Sequence, residues 1–196
     1  NFIVMAPSDE NELCNCIATS TLINDKPCAF RYPRGEGVGV KINEKPELWE
    51  IGKGKIIRKG SKVCILSLGT RLKDSMIASE ILASYGLSTT VVDARFAKPV
   101  DQLLITQLAR DHEVLVSVEE GSIGGFSAQV MSFLTKSGAL DKGLKFRPIF
   151  FPDIFINHGK PDQQNIECGV DSESIVRNVL GALGIAAPAK FSLERA

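Results

Sequence analysis

The chain has 196 residues, and its 23 basic and 23 acidic side chains give a formal net charge of zero at neutral pH. A balanced charge creates no general field that would hold the protein on nucleic acid or on an anionic membrane, so neither is expected as a partner. No run of about 18 apolar residues occurs, which predicts no membrane-spanning helix. Any phosphate must therefore be bound by a few local side chains.

Cysteine usage indicates a reducing compartment. The five cysteines are Cys14, Cys16, Cys28, Cys64 and Cys168. Their number is odd and most fall in apolar, periodic segments, so we expect free thiols that pack as small hydrophobic groups. Together with the two histidines they show no metal-ligand spacing.

The first residues predict a strand and a helix. Residues 1–7 are an apolar run typical of a buried parallel strand, and such a strand needs neighbours, so we expect position 1 to be a cut through a longer polypeptide. No signal peptide pattern occurs. Ser8 is predicted to cap the helix. The predicted apolar face of this helix consists of Leu13, Cys14, Ile17, Ala18, Thr21 and Leu22.

A short strand at 28–30 and a Pro- and Gly-containing loop at 31–37 follow the helix. Residues 1–42 thus form a strand-helix-strand unit, which is part of a domain rather than a complete one. The polar segment 43–50, which contains Trp49, is predicted as a linker.

A second α/β pattern begins after the linker. Its predicted strands are 63–68, 89–92, 114–118 and 146–151, and its predicted helices are 72–85, ended by Gly86, a helix capped by Asp101, 126–136, and a helix capped by Asp171. This alternation predicts an α/β fold with a mostly parallel sheet and helices on both faces, as a complete domain over 51–184. Residues 185–196 are predicted as a frayed tail.

Arg31 and Arg34 are the candidate ligand-binding residues. In open α/β sheets ligands gather at the carboxyl ends of strands, where Arg31 is expected to lie. A guanidinium offers a planar fork of donors that matches a phosphate, and the nearby Pro and Gly would fix the loop. Ordinary surface pairing of both arginines with carboxylates is the alternative that their residue type favours.

Polar residues of the later segment lead to further predictions. The glycine turn at 121–125 lacks the dinucleotide-binding pattern. We expect its glycines to allow close packing of the following helix against the sheet, and the alternative is that its backbone amides face an anion. Glu119 and Glu120 should point to opposite faces, one of them as a capping or interface group. Asp93 and Arg95 could form an ion pair at a domain junction. His158 has no evident partner and is expected to be solvated.

Several strings, in order, resemble the 1-deoxy-D-xylulose-5-phosphate synthase family over residues 1–184. They are MAPSDENEL, FRYPRG, GVGV, IGKGK, VVDARFAKP, VSVEEGSIGGF and FPDIFINHG. The resemblance implies that 1–42 is the C-terminal part of a pyrimidine-binding α/β domain and that 51–184 is a transketolase C-terminal domain. It also implies that Arg31, supported by Arg34, binds the phosphate of D-glyceraldehyde 3-phosphate.

The implied reaction condenses pyruvate with D-glyceraldehyde 3-phosphate and releases carbon dioxide, as a first step toward isoprenoids and a source for thiamine and pyridoxal synthesis. It requires thiamine diphosphate and Mg²⁺, which the family binds mainly through a preceding portion that contains a GDG motif. That motif is missing here, so no catalytic residue is assigned, and this chain alone is expected to be inactive. A homodimer in the bacterial cytoplasm, or in the plastid stroma of a plant, is the implied setting.

Two alternatives remain open at this stage. An α/β domain with a VEEG turn also suits transketolase itself or the beta subunit of an oxoacid dehydrogenase. A dimerisation module without catalysis is the other alternative.

Overall fold

The computed structural model describes residues 1–187 as two adjoining sheets with helices against them. The three-stranded sheet contains β1 (Ile3–Met5), β2 (Cys28–Phe30) and β6 (Phe96–Lys98), in the order β2-β1-β6. The five-stranded sheet contains β3 (Lys55–Arg58), β4 (Val63–Leu68), β5 (Thr89–Asp93), β7 (Val114–Ser122) and β8 (Lys145–Phe151), in the order β3-β5-β4-β7-β8.

Six α-helices accompany these strands in the described part of the chain. They are α1 (Glu10–Ser20), α2 (Leu72–Ser84), α3 (Gln102–Asp111), α4 (Phe126–Lys136), α5 (Pro161–Glu167) and α6 (Ser172–Leu183). Single 3₁₀ turns occupy Gly69–Arg71 and Ala139–Lys142. Within residues 1–187 none of the helices has the length and apolarity that crossing a bilayer requires.

The α/β prediction is confirmed. In the five-stranded sheet β4, β5, β7 and β8 run parallel, and β3 alone is antiparallel, paired with β5. The Asp101 carboxylate accepts from the Leu104 amide at 3.0 Å, and the Asp171 carboxylate accepts from two amides of α6. These are the predicted caps, and each satisfies amides that a helix start leaves unpaired.

The core of the five-stranded sheet lies on both of its faces, as expected for a sheet covered by helices. β4 is buried along its whole length, which explains its continuous apolar sequence. One face packs against α2 and α6 through Leu82 and Val176, and the other against α3 and α4 through Ile105 and Leu134. Burial raises the pKa of the Cys64 thiol within this core.

Three elements escaped the sequence prediction. β3 contains two apolar residues between basic ones, β6 has three residues, and α5 is a seven-residue helix. β6 is the most informative, because it follows β5 in the chain but pairs antiparallel with β1, with Val4 opposite Lys98. The two sheets are therefore joined through a strand contributed by the later part of the chain.

Helix α1 departs from prediction in its cap and in its buried face. Asp9, rather than Ser8, caps the helix by accepting from the Glu12 amide at 2.8 Å. Ser8 instead donates to Asp93 Oδ2 at 2.9 Å. The buried residues are polar or small, namely Glu12, Asn15, Cys16 and Thr19. None of the six residues of the predicted apolar face is buried, and Ile17 is 44% and Leu22 is 60% exposed.

A strap of irregular backbone explains the polar buried face of α1. Residues 31–54 form no helix or strand. The side chains of Asn11, Asn15 and Thr19 accept from strap amides at positions 43, 47 and 49, with distances of 2.9, 2.7 and 2.8 Å. These three helix positions repeat every four residues, so they form one stripe along the helix. The predicted linker is thus hydrogen-bonded to α1, and its Trp49 is buried.

Candidate anion-binding site

Arg31 lies directly after β2, at the carboxyl end of that strand, as predicted. Its backbone amide donates to Met5 O at 3.0 Å and so continues the pairing of β2 with β1. The guanidinium crosses to the other sheet, where Nη1 donates to the backbone carbonyl of Glu120 in β7. Arg31 is exposed, and its partner is a neutral carbonyl rather than the surface carboxylate of the alternative prediction.

A cavity of about 540 Å³ opens beside Arg31, where the carboxyl ends of β1, β4 and β7 meet. This volume is within the range of small-molecule sites. The basic side chains on its wall are Arg31 and Lys98, and the glycine turn at 121–125 closes one side. Glu119 is the acidic lining residue. Two cations at the meeting of strand ends favour an anionic ligand.

The negative charge of Glu119 is already compensated by the protein. Glu119 is 3% exposed, and its carboxylate accepts from the Phe126 amide at 3.0 Å and from the amide and hydroxyl of Ser127, each at 2.8 Å. This arrangement confirms that one of the two adjacent glutamates is a capping group. The start of α4 is a favourable position for a carboxylate because of the helix dipole.

The glycine turn leaves room for that carboxylate. A Cβ at Gly121 or Gly125 would approach Glu119 Oε2 to 2.5 or 2.6 Å, so a side chain at either position would displace it. The amides at the helix start do face an anion, which is the alternative prediction for this turn, but the anion is Glu119 itself. Helix α4 is therefore not free to bind a diphosphate through its first amides.

Arg34 and Arg31 line separate cavities. Arg34 borders one of about 410 Å³ between the loop after β2 and the start of α1, together with Tyr32 and Glu10. Glu10 Oε1 accepts from the Gly39 amide at 2.5 Å, and backbone hydrogen bonds lower the pKa of the Glu10 carboxyl. The carboxylate thus fixes the loop that carries Arg34.

The Asp93 and Arg95 prediction is wrong about the partner. Arg95 Nη2 lies 3.0 Å from Glu12 Oε2, an ion pair whose angles are not those of a hydrogen bond. The guanidinium carbon lies 4.8 Å from the centre of the Trp49 ring. Asp93 accepts instead from the Arg95 amide and from Ser8, and burial raises its pKa to about 6. These residues sit between the two sheets, as the prediction placed them.

His158 lies in an exposed segment and lines neither cavity. Residues 1–187 also contain no group of three or more His, Cys, Asp or Glu side chains that could hold a metal ion. Because Glu119 occupies the first amides of α4, this helix start does not fit the diphosphate of thiamine diphosphate.

Residues 52–175 match the family described as transketolase, C-terminal domain. This chain belongs to that family. The five-stranded sheet, α2 to α5, the first four residues of α6 and the Glu119 turn fall inside the matched residues. Arg31, β1 and β2 precede the matched residues, whereas β6 of the three-stranded sheet lies within them. The transketolase domain therefore contributes the Glu120 carbonyl that holds Arg31 and the Lys98 side chain on the cavity wall.

A solved structure described as "Split gene transketolase, inactive beta4 tetramer" has the same fold, with a TM-score of 0.82 and 25% sequence identity. The match covers 95% of this chain, so it extends well beyond residues 52–175. It covers 59% of the other chain, so this chain spans about three fifths of that protein.

Sequence reasoning found Arg31 but missed the residues around it. The carbonyl of Glu120 becomes available through a local break in strand pairing, which no residue pattern announces. Lys98 belongs to a strand that was not predicted. The adjacent Glu119 and Glu120 were the available signal, because one of the two was predicted to be a capping or interface group.

Proposed function

We propose that this chain is part of a 1-deoxy-D-xylulose-5-phosphate synthase, which condenses pyruvate with D-glyceraldehyde 3-phosphate and releases carbon dioxide. The observation that carries the proposal is the place of Arg31, at the end of β2 and on the wall of the 540 Å³ cavity. Membership of the transketolase C-terminal domain family supports a thiamine-diphosphate-dependent transferase, and the string FRYPRG supports this branch.

Arg31 binds the phosphate of the aldehyde substrate in this proposal. One N–H donor is used on Glu120, which leaves the rest of the fork for phosphate oxygens. Arg34 supports this role from the neighbouring cavity through the loop that both residues share. The domain limits we propose are 1–42 for the C-terminal part of a pyrimidine-binding domain and 51–184 for the transketolase C-terminal domain, joined by 43–50.

Thiamine diphosphate and Mg²⁺ would be bound by a further portion of the enzyme that is not in this chain. The similar solved structure is an inactive tetramer of a split-gene transketolase, and this chain spans 59% of its length. We therefore expect this chain alone to be inactive, to need a partner portion, and to assemble as a homodimer of the complete enzyme, in a bacterial cytoplasm or a plastid stroma.

Transketolase itself is the second candidate, and the similarity to a split-gene transketolase favours it. An oxoacid dehydrogenase beta subunit or a non-catalytic dimerisation module has no observation of comparable weight. The synthase differs from transketolase in using pyruvate, and Arg31→Ala tests the phosphate-binding role within the synthase reaction.

The test replaces Arg31 by Ala in the complete enzyme. Loss of a charged hydrogen bond to phosphate costs about 1.5–3 kcal/mol, so the KM for D-glyceraldehyde 3-phosphate should rise at least about tenfold, with little change in the KM for pyruvate. Arg110→Ala, on an exposed arginine of α3, is the matched control. Equal effects on both substrates would remove Arg31 from the proposed role.

A further inference from the structure

The guanidinium of Arg31 is held by a residue 89 positions away in the other sheet. Its acceptor is the backbone carbonyl of Glu120, and an arginine with one donor fixed in this way has lost part of its rotamer freedom before any ligand arrives. What fixes the Glu120 carbonyl therefore also sets the direction of Arg31.

The Glu120 carbonyl is available because β7 leaves its ladders at this point. Pairing of β4 with β7 ends at Leu68 and Glu119. On the other side, β7 pairs with β8 at Val118 and again only at Ser122, opposite Ile149 and Phe151, so three residues of β7 oppose one of β8. Such a bulge turns backbone groups away from the sheet, and here it frees a carbonyl for Arg31.

The side chain of Glu120 anchors this bulge to the turn after β4. Its Oε1 accepts from Thr70 Oγ1 at 2.8 Å and forms an ion pair with Arg71 Nη2, also at 2.8 Å. Arg71 also pairs with Asp74, with Nη1 and Oδ2 2.9 Å apart. The Arg71 side chain is 10% exposed and that of Glu120 is 17% exposed, so solvent screens this network much less than a surface pair.

We propose that Glu120 and Arg71 are positioning residues for Arg31. The contacts of Glu120 Oε1 with Thr70 and Arg71 hold the backbone of the bulge, and the bulge carbonyl then aims the guanidinium at the cavity. Neither residue needs to touch the ligand, since they act through Arg31. The inference rests on the proposed function, because it takes an anion as the ligand of Arg31. It adds two residues, Glu120 and Arg71, through which the transketolase domain sets the affinity of Arg31 for that anion.

The first measurement needs no ligand. In the 196-residue chain, ¹⁵N relaxation at Arg31 Nε reports the order of the side chain, and amide spectra of β4 and β7 report the fold. We expect an ordered Arg31 in the wild type and a mobile one in Glu120→Ala and Arg71→Met. Glu120→Gln keeps an acceptor for Thr70 and Arg71, so Arg31 should stay ordered. Glu44→Ala, in the exposed strap, is the control.

The second measurement titrates the same variants with glycerol 3-phosphate and with inorganic phosphate. A misplaced binding group loses affinity without losing the contact itself, so we expect the dissociation constant to rise about three- to tenfold in Glu120→Ala and Arg71→Met. The dissociation constant of Glu120→Gln should remain close to that of the wild type. If the charge of Glu120 alone mattered, the dissociation constant of this variant would change as well.

The outcomes separate the two proposals. Increased mobility of Arg31 together with weaker binding supports both. Increased mobility in a chain whose wild type binds neither anion supports the positioning role and counts against the proposed function. An Arg31 that is equally ordered in all variants, or already mobile in the wild type, overturns the positioning role. If Glu120→Ala does not fold, Arg71→Met and Glu120→Gln decide between these outcomes.

Discussion

The two sheets of this protein are held together in different ways. The five-stranded sheet has continuous apolar strands between two layers of helices. The three-stranded sheet has a small apolar core, made of Ile3, Met5, Cys16, Trp49 and Phe96. Its helix instead buries polar side chains against a strap and against Arg95. The smaller sheet therefore depends on specific polar contacts and on strand β6, which the later part of the chain supplies.

The largest effect is expected from Trp49→Ala. Trp49 is 4% exposed, packs edge-on against Phe96 with ring centres 5.7 Å apart, and lies under Arg95. Removing a buried Trp costs about 3–5 kcal/mol, and the loss should fall on the three-stranded sheet. Hydrogen exchange should show faster exchange in β1 and β6 and little change in β4. Leu48→Ala, at a 55% exposed neighbour, should change stability by less than about 0.5 kcal/mol.

Asp93, between the two sheets, should make stability depend on pH. Burial, the largest cause, raises its folded pKa to about 6 from an ordinary value of 3.8. The folded protein then holds the proton more tightly than the unfolded chain, so the free energy of unfolding falls as pH rises from about 4 to about 6. The full difference is about 3 kcal/mol.

Asp93→Asn removes this titration, and urea unfolding at several pH values measures it. The wild type should lose stability relative to the variant as pH rises through that window. Asp153→Asn, at an exposed position, should follow the wild type at every pH. A constant difference between wild type and Asp93→Asn would show that the carboxyl titrates normally in the fold.

Glu119→Ala tests whether the five-stranded sheet also relies on a polar contact at the cavity. The change leaves the first amides of α4 without an acceptor, so we expect a loss of about 2 kcal/mol in urea unfolding. Exposed Glu44→Ala should have no measurable effect. A neutral Glu119→Ala would mean that water replaces the carboxylate at the helix start.

Thr19→Val should have the smallest effect and the most local one. Thr19 Oγ1 accepts from the Trp49 amide at 2.8 Å, and such a bond contributes about 1 kcal/mol. Hydrogen exchange at the Trp49 amide should become faster while β1 changes little. Thr106→Val is a matched control, because Thr106 lies on an exposed helix face and bonds within its own helix. Unchanged exchange at Trp49 would mean that the strap is held by its other contacts.

The same contrast explains what sequence could predict. The α/β alternation, the parallel strands and the caps at Asp101 and Asp171 follow from local patterns of burial and helix termination, and the structure confirms them. The buried face of α1 could not be predicted in this way, because its polar residues are paired with strap amides about 30 or more positions away. In a sequence, a polar residue whose hydrogen-bond partner lies far along the chain cannot be distinguished from a polar residue exposed to solvent.

The candidate site likewise has one part that the sequence predicts and another that it does not. The position of Arg31 at a strand end follows from the Pro and Gly residues after β2 and from the topology of α/β sheets. Its acceptor does not, because a bulge in β7 and an unpredicted strand, β6, complete the cavity. That Arg34 lines a different cavity depends on the path of an irregular loop, which has no repeating pattern.

The central claim is that this transketolase domain belongs to a synthase that joins pyruvate to a phosphorylated aldehyde. The direct measurement follows carbon dioxide released from labelled pyruvate by the complete enzyme with thiamine diphosphate and Mg²⁺, with and without D-glyceraldehyde 3-phosphate. We predict release that requires the aldehyde and whose half-saturating aldehyde concentration rises in Arg31→Ala. Absence of release, or release that is indifferent to both the aldehyde and Arg31, would contradict the claim.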